Sequence, residues 1–137
     1  MAINNFSTDL FVITVNGRVI SDWGDTATPF TDSPIDPKRQ LRRGQGGNAV
    51  RLDRINPGRA ASLYLNPGSA DSAYLQGLFN SGANITLTKT QIGTLEAAIG
   101  TEGLMINDAQ TGRGGSTISD DQYDFQFNVW NGTKGGV

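Results

Sequence analysis

Tyr123, Phe125, Phe127 and Val129 alternate without a break with Gln122, Asp124, Gln126 and Asn128. A period of two places the bulky side chains on one side of an extended strand and the polar ones on the other. Such a strand belongs to a sheet with one buried and one wet face, the usual situation of antiparallel sheets. Leu10 to Val15 (LFVITV) is β-branched and aromatic, and Asn16-Gly17 separates it from Arg18-Val19-Ile20. Asn-Gly between two such runs predicts a hairpin, because both turn residues must accept positive φ. Ala60 to Leu65 puts Ala61, Leu63 and Leu65 on one face, and Ile85 to Ile92 sets Ile85, Leu87 and Lys89 against Thr86, Thr88 and Thr90.

One segment departs from this period. After Asn66-Pro67-Gly68, Ser69 is placed to cap a short helix running through Phe79, with Tyr74/Leu78 and Leu75/Phe79 forming one apolar stripe. Asn80-Ser81-Gly82 ends it. Elsewhere the pattern is weaker. Trp23-Gly24-Asp25 closes the first hairpin, and Pro29, Pro34 and Pro37 hold extended or irregular chain. Leu95 to Ile99 fits a strand or a helical turn, Gly103 introduces Leu104-Met105-Ile106, Asp108 to Gly115 is a polar glycine loop, and Asn131 to Gly136 reads as a loose tail. With 137 residues, no repeat and no linker, the chain buries a core of its own. The expected fold is mainly β: an antiparallel β barrel or sandwich over residues 1–137, with one short α-helix and a long hairpin arm at about 36–56.

The arm holds most of the positive charge. In "KRQLRRGQGGNAVRLDR", residues 38–54, Lys38, Arg39, Arg42, Arg43, Arg51 and Arg54 flank Gly44-Gln45-Gly46-Gly47. Over 38–59 the net charge is +6, against −2 for the whole chain, so the remainder carries −8. Separation of this kind lets copies attract one another, basic face to acidic face. So polar a two-stranded arm does not stabilise itself in water and calls for a partner.

Chemistry is scarce. The chain has neither cysteine nor histidine, which removes thiolate metal sites, the commonest general base and the commonest metal ligand. Gly44 to Gly47 is not a phosphate loop, since Asn48-Ala49-Val50 follows where Lys and Ser/Thr should open a helix, and Gly112-Arg113-Gly114-Gly115 fails the same test. Asp120, Asp121 and Asp124 lack the spacing of a calcium loop. Lys38, Lys89 and Lys134 stand in no context suggesting a Ser–Lys dyad, and no Asp/Glu pair is singled out for glycoside hydrolysis. No catalytic residue, metal or cofactor is expected. The first residues carry neither a basic start nor an apolar h-region, and no run is long enough to span a bilayer, so a soluble protein is expected.

The order "VITVNGRVISDWGD", the hairpin tipped by "GQGGNAV", then "GRAASLYLNPGSADSAYLQGLF" and an aromatic last strand resembles the tail tube proteins of contractile-tailed bacteriophages. Leu63-x-Leu65-Asn66-Pro67-Gly68-Ser69 with Tyr74-Leu75-x-x-Leu78 carries most of the similarity, which spans roughly residues 8 to 130. The resemblance implies subunits that close into hexameric rings, stack into a hollow tube inside a sheath, and conduct DNA during ejection without binding it specifically. It implies a place in the virion tail, assembled in the host cytoplasm, and makes Lys38 to Arg54 an inter-subunit arm. For the lumen wall, the polar residues Gln122, Asp124, Gln126 and Asn128, or equivalently Thr86, Thr88 and Thr90, are the candidates. The alternatives are a nucleic-acid-binding β module using the basic arm, or another ring-forming tail or baseplate protein; against the first, the arm has no aromatic residue for base stacking.

Overall fold

The computed structural model describes residues 3, 6, 7 and 10–135. Strands β1 (Phe11–Val15) and β2 (Arg18–Ile20) form the first hairpin, with Asn16 and Gly17 at φ 48° and 87° as the Asn-Gly turn requires. β3 (Phe30–Pro34), β4 (Arg39–Arg43), β5 (Ala49–Asp53) and β6 (Arg59–Leu65) follow, then helix α1 (Ala70–Ser81), β7 (Ile85–Gln91), β8 (Glu96–Met105) and β9 (Asp121–Thr133). Seven strands form one antiparallel sheet in the order β2-β1-β7-β8-β9-β6-β3, and β4-β5 is a separate hairpin. The sheet curls into a half-barrel. One end is drawn together by the strap after β2: Gly24 N–H donates to Tyr64 O, and Asn66 N–H to Asp22 O.

The core occupies one face of this sheet. Ile13, Val15, Leu63, Leu65, Leu87 and Phe125 are fully buried there, and α1 covers them with Leu75. Ser69 caps the helix through Ser72 N–H, and Gly82 terminates it at φ 68°. At the helix start, Asp71 is buried; its carboxylate accepts the N–H groups of Ser21 and Asp22 at 2.9 Å each and Nε of Arg18 at 2.8 Å. Burial pushes this carboxyl up, but those hydrogen bonds and the Arg18 charge outweigh it and hold the group below the ordinary carboxylate range.

Within the stretch expected to be extended or irregular, Phe30–Pro34 is the edge strand paired with β6. Three expectations are corrected. Residues 96–105 form one strand rather than two fragments, and Asn131 to Thr133 belong to β9, paired with Ala97 to Ile99; Gly136 lies outside the described residues. Val129 is only half-buried, and Trp130 takes the inward place, its ring 5.7 Å from that of Phe127. The physical reason lies in the paired strand. Gly100 and Gly103, three apart with left-handed Glu102 (φ 53°) between them, leave the space these two rings fill.

Candidate functional site

The arm continues the β3–β6 ribbon beyond the sheet. Ile35 N–H donates to Gly58 O, Asp36 N–H to Pro57 O and Arg54 N–H to Lys38 O, so pairing persists through the root with a one-residue slip at Ile55-Asn56. Beyond it Arg39 pairs with Asp53 and Arg43 with Ala49. Every residue of β4 and β5 is exposed, including Leu41, Val50 and Leu52. From Lys38 to the Gln45 tip, about 3.3 Å per residue gives a reach of roughly 25 Å.

The charges on the arm are unequally satisfied. Lys38 Nζ is spent on the carbonyls of Arg54 (2.6 Å) and Ile55 (3.1 Å). Arg39 and Arg51 share Asp53, and Arg54 faces Asp36 at 3.7 Å. The side chains of Arg42 and Arg43 make no ion pair or hydrogen bond among the described residues. Their guanidinium groups therefore present undiminished charge beside exposed Val50 and Leu41.

The second surface is the sheet face turned away from the core. On β9 it carries Gln122, Asp124, Gln126 and Asn128, the first two half-buried and the last two exposed. Ser62 Oγ donates to Asp124 at 2.7 Å, Gln122 Nε2 donates to the same oxygen at 3.1 Å, and Asn128 donates to Glu102. Register places Thr88 and Thr90 on this face too, through Ile99, Asn131, Ala97 and Thr133. Thus the two alternatives for a polar wall, on β9 and on β7, are parts of one surface. None of the chain's 11 Lys and Arg lies on it: Arg18, Arg59 and Lys89 alternate to the core side, Arg113 and Lys134 bind Asp121 and Glu96, and the rest are on the arm.

Charge on the core side is internally matched. Lys89 bridges Asp32 (3.0 Å) and Glu96 (3.6 Å), and Arg59 also binds Asp32 and lies over Trp130. Asp32 feels burial, which raises its pKa, but hydrogen bonds and charge from Arg59 and Lys89 prevail and lower it. This network joins β3 to β7 across the half-barrel; sequence reasoning missed it because Asp32 sits in a proline-flanked stretch.

The three aspartates near β9 go separate ways. Asp120 accepts the N–H groups of Asp25 and Thr26, Asp121 is bound by Ser72 and Arg113, and Asp124 by Ser62. Among the described residues no group of three or more acidic, His or Cys side chains is arranged to hold a metal ion. No described helix is long and apolar enough to cross a membrane.

No family model and no curated protein sequence matches the chain. Solved structures do. A chain of the sheath–tube complex of an extracellular contractile injection system in its extended state is 13% identical at TM-score 0.61, with 95% of this chain and 92% of that chain covered. A chain of the anti-feeding prophage baseplate, 6-fold symmetrised, is 10% identical at TM-score 0.60, covering 97% of each. A chain in the tail of an empty gene transfer agent particle, refined helically with C6 symmetry, is 10% identical at TM-score 0.59, covering 93% and 98%. The chain has the tail-tube-like fold found in these assemblies.

Proposed function

We propose that the chain is a structural subunit that self-assembles into hexameric rings stacked as the inner tube of a contractile phage tail, a virion conduit through which DNA is ejected. The observation that carries this reading is the sheet face without a single Lys or Arg, on a fold shared with six-fold tail assemblies. A conduit for a polyanion must not hold phosphates, since each neutralised phosphate releases counterions and adds affinity. Gln122, Asp124, Gln126 and Asn128, with Thr86, Thr88 and Thr90, supply a wall of hydrogen-bonding groups and carboxylate without cations. The arm, exposed on all sides, is the connector between copies, and a sheath is the outer partner.

A second reading has its own support. The likeness to a baseplate chain fits a ring that does not propagate. Electron microscopy of the purified protein at high concentration separates the two: long tubes are expected for the tube subunit, isolated rings for a baseplate or terminator part. Replacing Lys38 to Arg54 by an Asn-Gly turn should leave a folded monomer and abolish tubes. Long polymers persisting in sedimentation after that replacement would exclude the arm as connector. Tight, salt-dependent duplex binding by a protein that never forms rings would favour the nucleic-acid module instead.

A further inference from the structure

The strands give the molecule a direction. β6 runs from Arg59 at the arm root to Leu65 beside the strap, a separation of about 20 Å at 3.3 Å per residue. β9 runs the opposite way, from Asp121 at the strap end. At that end the carboxylates of Asp22, Asp25 and Asp108 are exposed, and Asp120 stands among them, half-buried. Among the described residues none of the four pairs with a cation; Asp120 accepts the N–H groups of Asp25 and Thr26 and the Thr26 hydroxyl, and Asp108 accepts from Gln76. Arg18 and Arg113, the cations nearby, are consumed by Asp71 and Asp121. Carboxylates without a cation therefore collect at one end of the strands, and the unpaired guanidinium groups of Arg42 and Arg43 project from the other. Apolar surface is paired likewise: Leu41, Val50 and Leu52 are exposed on the arm, and Ile106 and Ile118 at the strap end.

We infer that the arm of one copy docks on the strap end of the next, Arg42 and Arg43 facing Asp22 and Asp25. This rests on the tube reading above and names the acceptor surface that the arm requires. The contact is heterologous and joins opposite ends of the strands, so copies related by translation along the strand direction propagate it as an open stack. Its partner is a second copy of this chain, because both halves of the contact are present on every subunit and each leaves unmatched charge and exposed apolar area without the other. Asp22 and Asp25 contribute their backbone N–H groups to Asp71 and Asp120 while their side chains stay in solvent. Their side chains are therefore available without disturbing the strap.

Charge exchange tests the assignment. Polymer mass of the full-length protein is followed by sedimentation from low to moderate salt, with circular dichroism confirming the fold of each variant. Arg42→Glu/Arg43→Glu and Asp22→Arg/Asp25→Arg should each reduce polymer at least tenfold, and the chain carrying all four changes should regain it. The milder Asp22→Asn/Asp25→Asn should lower the salt concentration at which wild-type polymer dissociates. Wild-type-like polymerisation of either aspartate variant, or failure of the fourfold variant to recover, overturns the docking while leaving the tube reading intact. Absence of any polymer from the wild-type chain removes both.

Discussion

Asp71 offers a test of how the half-barrel is held closed, because its carboxylate does two separable things. One oxygen accepts the strap N–H groups of Ser21 and Asp22, and the other accepts Arg18. In Asp71→Asn the amide oxygen keeps the two backbone bonds, and what is lost is the ion pair with half-exposed Arg18 and the negative charge at a helix start. Those terms are each about 0.3–1 kcal/mol, so the expected loss is about 1–2 kcal/mol. Asp71→Ala also strips both N–H groups of their acceptor, adding about 1 kcal/mol each where water partly replaces it, for about 3–4 kcal/mol in all. Urea denaturation of dilute protein, followed by tryptophan fluorescence, reads the difference directly. The sign with pH follows from the lowered pKa of Asp71 in the folded chain. Its contribution is present above the unfolded carboxyl value of about 4 and is lost as pH falls through the folded value. The gap between wild type and Asp71→Asn should therefore close in acid, whereas the gap between Asn and Ala should remain. Equal destabilisation by Asn and Ala at neutral pH would refute the acceptor argument and leave charge alone as the anchor.

Gly103→Ala would drive a methyl group into the Phe127 ring, with Ile85 O 3.0 Å away, and should cost about 1–3 kcal/mol; Phe127→Leu in that background should cost less than the two changes summed, as a double-mutant cycle in denaturant will show. Asp124→Lys lies outside the core, so it should fold and form tubes, yet cosedimentation should reveal duplex DNA retained by those tubes at low salt and released as salt rises.

What the residues disclosed and what they hid divides along sequence distance. The Asn16-Gly17 turn, the Ser69 cap and the alternation of β9 are local instructions, so the elements they specify are visible in the sequence. β3 was legible only as extended or irregular chain, because its central inward position is Asp32, a charge tolerated only beside Arg59 and Lys89, which come from other strands. β8 reads as two fragments because Gly100 and Gly103 look like breakers until the rings of Phe127 and Trp130 are seen filling the space they leave. That same packing moves Trp130 inward and carries β9 into a glycine-containing tail. The arm and the polar face were legible for the opposite reason: neither depends on a tertiary partner. The acidic end was not, since Asp22, Asp25, Asp108 and Asp120 are scattered along the chain and meet only when the strap crosses to β6.

A tube that conducts DNA sets two electrostatic demands against each other. Copies must attract one another, most cheaply through basic groups, while the inner wall must attract phosphate as little as possible. Had Arg42 and Arg43 stood on β6 or β9, they would have served the first demand and violated the second, because the outward positions of those strands form the candidate wall. Carrying them on a hairpin sets them roughly 25 Å beyond the sheet's own end at Pro34, more than twice the screening length of about 8–10 Å at physiological salt, and docking sets them against carboxylates of the next copy. The arginines that remain near the sheet are neutralised in place, Arg59 by Asp32, Arg18 by Asp71 and Arg113 by Asp121. Each exposed ion pair between copies contributes only about 0.2–1 kcal/mol, so a single docked arm is weak. In a closed ring every arm engages the next ring at once, and the contacts add along a common rigid body. Under the proposed function, stacking is therefore strong only after ring closure, which orders assembly without requiring any residue to bind tightly on its own.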